Sequence, residues 1–198
     1  MKKVILTAVI CATALSAGCS MTEDKVYPYP FNAARIEYAA PGSTDATTIV
    51  TIKGDKQLFQ TSGAQKTLMI IDKDKISYIN LDSKTGTTSK NQNYNELKNL
   101  PKEQRMNYIL GTSLGLKETK DGQSLPQPSS QKQIAGQTCD VYENSPLGTV
   151  CLWNGLPLEI APSTSGTGVV ATKIEVNPEV QDSIFQVPQG VELKDLST

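Results

Sequence analysis

From Ala33 onward, most of the chain alternates apolar and polar residues with a period of two. Arg35-Ile36-Glu37-Tyr38 is the first such run. Residues 47–52 are β-branched at every position, a strong strand signal. Residues 57–60, 67–71 and 76–81 follow, separated by Gly54-Asp55, Ser62-Gly63 and Asp72-Lys73-Asp74, and Lys84-Thr85-Gly86 closes the run. Connections this short force neighbouring strands to be antiparallel, so the pattern predicts an up-and-down meander. Residues 67–71 are apolar at both parities: Leu68 and Ile70 point one way, Met69 and Ile71 the other. Either both faces of the sheet are covered there, or one parity lines a cavity.

The period changes in residues 91–116. Asn93 or Asn95 can cap a short helical turn, and Pro101 suits the start of a second. Met106, Ile109 and Leu110 share one face at offsets of three and four, and Gly111 and Gly115 are plausible stops. This segment is expected to lie on the sheet, as a fixed part of the core or as a lid. Residues 120–132, with Pro126 and Pro128, read as a loop or a ragged edge.

Residues 134–160 are cut into three strands by two turns, Asn144-Ser145-Pro146-Leu147-Gly148 and Asn154-Gly155. Folding the first hairpin about Ser145 sets Cys139 opposite Cys151, within disulfide reach. The pair has no C-x-x-C spacing, so a staple is expected rather than a redox dithiol. Residues 169–176 form a further strand. Residues 182–191 close the domain, with Phe185 and Val187 on one side.

The inventory is mainly β (α+β): a curved antiparallel up-and-down sheet of about nine to ten strands, which must curl to bury one face. One inserted helical segment would sit on the concave side. Three stretches carry a resemblance: Asp82-Ser83-Lys84-Thr85-Gly86 at the end of the first meander, residues 136–142 leading to Val150-Cys151-Leu152-Trp153, and residues 185–191 at the close. In these the chain resembles the half-barrel of the Lol lipoprotein-carrier and receptor family. That resemblance implies an exported scaffold with an apolar concavity and no catalytic signature.

Residues 1–18 are expected to be a signal peptide, with Lys2 and Lys3 ahead of an apolar run too short to span a bilayer. Ala17-Gly18-Cys19 resembles a bacterial lipoprotein signal, which makes Cys19 the expected lipidated residue. Ser16 departs from that pattern, and cleavage after Ala14-Leu15-Ser16 would instead release a soluble periplasmic protein. Ser20 lacks the acidic character of an inner-membrane retention signal, so the expected address is the outer membrane, facing the periplasm. Residues 19–32 read as the lipidated N-terminus and a tether reaching roughly 40 Å if extended, in which Tyr27-Pro28-Tyr29-Pro30 is either a stiff extended piece or lies on the domain. Residues 33–198 form the single β-domain.

Composition narrows the partners. Loss of Lys2 and Lys3 with the leader leaves 17 basic and 20 acidic residues, net −3, with no long basic run. Nucleic acid is not an expected partner. The chain has no His, which removes Ser-His-Asp and Cys-His catalysis and the commonest zinc sites. Asp72-Lys73-Asp74 lacks the glycine and distal Glu of a calcium loop. Glu37 and Glu175 would need to cluster to act as a glycosidase pair. The expectation is therefore a non-enzymatic envelope lipoprotein without a cofactor. It would hold a hydrophobic ligand, an acyl chain, a lipid or a lipoprotein segment, against Phe59, Met69, Ile71, Met106, Ile109 and Leu110. The alternative is an interaction protein with a filled core that touches other envelope proteins.

Overall fold

The structure, a computed structural model, describes residues 25–41, 47–116, 125–163 and 168–197. The leader, Cys19 and residues 20–24 lie outside the described residues. The elements in chain order are strands β1 (Ala33–Ala39), β2 (Thr47–Lys53), β3 (Lys56–Ser62), β4 (Thr67–Asp72), β5 (Lys75–Asn80) and β6 (Thr85–Lys90). Helices α1 (Gln92–Asn99) and α2 (Lys102–Ser113) follow. Then come β7 (Ser130–Ile134), β8 (Gln137–Ser145), β9 (Gly148–Trp153), β10 (Leu156–Ala161), β11 (Val169–Val176), a 3₁₀ turn (Asp182–Phe185) and β12 (Glu192–Asp195).

All of these strands join one open, 12-stranded sheet in the order β12-β6-β5-β4-β3-β2-β1-β11-β10-β9-β8-β7. The first meander, β1 to β6, was expected to have five strands and has six. The sixth, Thr-Gly-Thr-Thr-Ser-Lys, has no apolar residue to announce it. Strand β7 begins within residues 120–132, expected to be a loop or a ragged edge; it is the edge strand of the sheet, and its first four residues are all exposed. Residues 185–191 are not a strand: the chain makes a 3₁₀ turn there and forms β12 a few residues later. The sheet is also not wholly antiparallel, because β12 runs parallel to β6. After β11 the chain crosses the back of the sheet to its far edge, and arrives heading the same way as β6. The two meanders meet through β1 and β11, so the order is not simply up and down.

Turn chemistry sets the registers. Asn154 and Gly155 have φ of 50° and 81° and connect Trp153 to its partner Leu156, as a two-residue hairpin requires. The β8–β9 hairpin pairs Ser145 with Gly148 and then slips by one residue before Tyr142 pairs with Val150. Cys151 therefore faces Val141, and Cys139 lies diagonal to it rather than directly opposed. The disulfide still forms, with Cα atoms 5.5 Å apart.

Across β2–β6 the register runs without a bulge, so two faces can be traced residue by residue. On the back face, Leu58, Ile70 and Ile79 are buried beneath Phe185, with Val191 and Leu193 packed alongside. On the front face, Val50, Phe59, Met69, Tyr78 and Thr87 pair in succession from strand to strand, as do Ile52, Gln57, Ile71 and Ile76. The double parity of residues 67–71 thus has two causes. One parity is covered by the returning C-terminal segment, and the other faces the front.

The front of the sheet near β1 and β2 is filled from an unexpected source. Val26, Tyr27, Tyr29 and Phe31 are buried in the main core with Ile36, Val50, Ile52, Leu97 and Leu158. The tether reading of residues 19–32 is therefore corrected from Val26 onward, and the domain begins before Ala33. Alternate residues Tyr27, Tyr29 and Phe31 put their rings on one side, where they stack at centroid distances of 5.8 and 5.3 Å. Trp153 continues the row, 5.3 Å from Phe31. The prolines between them, Pro28 and Pro30, hold the backbone extended and so keep this alternation. The Asp55 carboxylate, in the β2–β3 turn, accepts the backbone N–H of Val26 at 3.0 Å and of Tyr27 at 3.1 Å. Asn177 does the same at the other end, its Oδ1 accepting from Asn32 N–H at 2.8 Å.

Candidate functional site

Helix α1 begins where Asn91 closes β6. Its Oδ1 accepts the Tyr94 N–H at 3.2 Å, and its Nδ2 donates to the Lys73 carbonyl at 2.9 Å. The cap is therefore Asn91, not Asn93 or Asn95, and it ties the helix to the β4–β5 turn. Pro101 sits just before α2 rather than inside it. Arg105 bonds three carbonyls, of Leu100 at 3.2 Å, Lys25 at 3.2 Å and Lys98 at 3.3 Å. It thereby joins both helices to the N-terminal segment, and also offers a cation to the last carbonyls of α1.

Helix α2 does not present Met106, Ile109 and Leu110 to one space. Ile109 is buried in the main core. Met106 lies beside Gly155 in the β9–β10 turn. Leu110 packs with Leu114 against Tyr142, Val150 and Leu152 in a separate cluster. The helix crosses from one cluster to the other, so its apolar face is shared between them. Ser113 Oγ donates to the Gly155 carbonyl at 2.7 Å and fixes its end. These contacts join α2 to both clusters and to the β9–β10 turn.

Between α2, the N-terminal segment and the front of β2–β6, three adjoining clefts, each sharing lining residues with the other two, make up a trough. The first, about 290 Å³, is lined by Tyr27, Tyr29, Gln57, Met69, Ile71 and Ile109 among others. The second, about 330 Å³, lies between Tyr29, Tyr38, Val50, Phe59 and the β9–β10 turn. The third, about 570 Å³, runs outward over Phe59, Met69, Tyr78 and Thr87. Of the residues expected to line a ligand, Phe59, Met69, Ile71 and Ile109 are brought together here, while Met106 and Leu110 are not among the lining. Sequence reasoning missed Tyr29, Tyr38, Gln57 and Tyr78. Gln57 and Tyr78 share the parity of Phe59 and Met69, and strand alternation could have found them. Tyr29 sits in the segment read as a tether.

The site is uncharged. No residue lining the three clefts is charged. Burial pushes the Tyr29 and Tyr38 hydroxyls well above the usual phenol range, so both stay neutral. The Tyr38 hydroxyl donates to the Pro157 carbonyl at 2.8 Å. At the rim, Tyr108 donates to Glu96 at 2.9 Å, and its pKa rises to about 12, through burial first and the Glu96 carboxylate second. Glu37 and Glu175 lie elsewhere, in an exposed ladder with Arg35 and Lys173, paired as surface ions.

No known protein family matches the sequence, and no curated protein matches it. Among solved structures, PNGF-II is similar over 83% of this chain, at 16% identity and a TM-score of 0.47. The chain spans 31% of the length of that protein. A likeness this slight assigns neither a family nor a role.

Proposed function

We propose that this chain is a non-catalytic, lipid-anchored envelope protein that holds a hydrophobic ligand in the front-face trough. The carrying observation is open space beside Phe59, Met69 and Ile71, in three adjoining clefts free of charged lining. Each cleft taken singly is of the order of a small-molecule site. Tyr78 stands 51% exposed in the middle of this surface, with no packing role to explain it. The anchor is Cys19, and the address is the outer membrane facing the periplasm, on the strength of the signal sequence. The resemblance of residues 82–86, 136–153 and 185–191 to the Lol family, carried by the sequence alone, agrees with the same reading.

The structural alternative, a filled core with protein partners, draws on the ring stack that occupies the space beside β1. Binding of the fluorescent apolar probe phenylnaphthylamine to the mature domain separates the two. The ligand reading expects saturable binding that Tyr78→Asp abolishes, since Tyr78 is exposed enough for the fold to tolerate the change. Absence of binding, or binding indifferent to Tyr78→Asp, favours the interaction protein. Incorporation of labelled palmitate into the wild type but not Cys19→Ala tests the anchor separately.

A further inference from the structure

The first and second clefts share three residues, all with a polar group: Tyr29, Gln57 and Ser113. Gln57 lies in the front-face register between Ile52 and Ile71, and is only 8% exposed. Tyr29 is 9% exposed, and both residues line both clefts. Ser113 is the third residue the two clefts share, but its hydrogen is committed to the Gly155 carbonyl. Among the described residues, neither the Gln57 amide nor the Tyr29 hydroxyl has a hydrogen-bond partner. No fully enclosed polar side-chain atom in the described residues is unpaired, so these two groups reach the cleft space rather than being walled in.

An amide that reaches the cleft offers its hydrogen bonds to water or to a ligand group, which an apolar residue of the same shape would not. A strand position flanked by Ile52 and Ile71 could equally carry Leu or Met. The cleft around the amide also contains no cation to receive a carboxylate or phosphate, and no carboxylate to receive an amine. Gln57 offers two N–H donors and one carbonyl acceptor, and Tyr29 one O–H donor. Together they fit a neutral group that both accepts and donates hydrogen bonds.

We infer that the trough takes an uncharged amphiphile of the acylglycerol class. Its hydrocarbon chain lies along Phe59, Met69 and Ile71, and its neutral ester and hydroxyl groups sit between Gln57 and Tyr29. This rests on the hydrophobic-ligand reading above. The geometry selects among hydrophobic ligands: the same chain ending in a carboxylate would bring an unpaired charge into the clefts.

The test displaces phenylnaphthylamine from the mature domain with monooleoylglycerol and, in parallel, with oleate. Monooleoylglycerol is expected to bind at least about tenfold more tightly than oleate. Gln57→Met and Tyr29→Phe keep side-chain volume and the ring stack, and each should weaken monooleoylglycerol roughly tenfold, the loss expected for one hydrogen bond. Each affinity is referred to that of phenylnaphthylamine for the same variant, measured directly, so that a general change in the clefts is separated from loss of a hydrogen bond to the ester. Equal binding of oleate, or two variants that bind monooleoylglycerol like the wild type, overturns the inference while leaving a hydrophobic site in place. Failure of phenylnaphthylamine to bind at all overturns the hydrophobic-ligand reading, and this inference with it.

Discussion

Phe31 stacks on Trp153 with ring centroids 5.3 Å apart and planes inclined by 11°. The first residue precedes every strand of the sheet, and the second ends β9. Their contact therefore joins the N-terminal segment to the second meander and fastens both sides of the β1–β11 seam. Phe31→Ala should cost about 3–5 kcal/mol, as for other buried aromatics. In a double-mutant cycle with Trp153→Ala, the pair should show a coupling of about 1 kcal/mol. Denaturant unfolding reads both values. A domain that lost nothing on truncation to Ala33 would restore the tether.

Asp55 is the second fastening of the same segment. Asp55→Ala leaves the Val26 and Tyr27 N–H groups without their acceptor and should cost about 1–3 kcal/mol. Hydrogen exchange localises the effect: the amides of Val26 and Tyr27 should exchange much faster, while Ile70 on the opposite face stays protected. Unchanged exchange at Val26 would mean that the ring stack alone holds the segment.

The disulfide closes a loop of sequence separation 12. The chain-entropy estimate for a loop of that size is about 3 kcal/mol. Thiol titration of the folded mature protein should find neither Cys139 nor Cys151 reactive, and the Cys139→Ser, Cys151→Ser double variant should unfold at correspondingly lower denaturant. Free thiols at these two positions in the native protein would contradict the bridge.

Alkaline pH should unfold the domain earlier than its exposed charges suggest. Tyr108 has a folded-state pKa of about 12 against an ordinary 10, and Tyr27, Tyr29 and Tyr38 are raised as well, chiefly by burial. A raised pKa means that the unfolded chain releases its proton first. The stability these groups contribute is complete below pH 10 and is lost as pH climbs through 10 toward the folded-state values. Thermal melts should be nearly flat in this respect up to about pH 9 and fall steeply above 10. Tyr108→Phe should remove part of that fall.

Helix α2 should behave as core. Its amides at Ile109 and Leu110 are expected to exchange as slowly as those of β4. Gly155→Ala should destabilise the domain, because a Cβ there would lie 2.7 Å from Ile109 Cγ2, at a backbone φ of +81°. Rapid exchange across α2 that slows when monooleoylglycerol is added would instead make it a lid.

Local chemistry alone decided much of this molecule. Strands β2 to β5 were legible because β-branched residues alternate between short polar turns. The Asn154-Gly155 hairpin was legible because few other residue pairs accept two left-handed positions. The nearness of Cys139 to Cys151 followed from the hairpin, although the turn centres on Pro146-Leu147 rather than Ser145, which makes the pair diagonal instead of opposed. Tertiary structure decided what had no local signature. β6, β7 and β12 are polar strands held by neighbours already in the sheet, and periodicity cannot detect a strand that buries little of its own. Tyr27, Tyr29 and Phe31 looked like a proline-stiffened linker because their burial depends on Asp55, Trp153 and α1, contributed by distant parts of the chain. The trough shows the same division. Strand parity alone placed Phe59, Met69 and Ile71 on one face. Only the folded chain could show that Ile109 joins them and Leu110 does not, or that Gln57 and Tyr29 meet there unpaired, because those facts depend on how α2 and residues 26–31 cross the sheet.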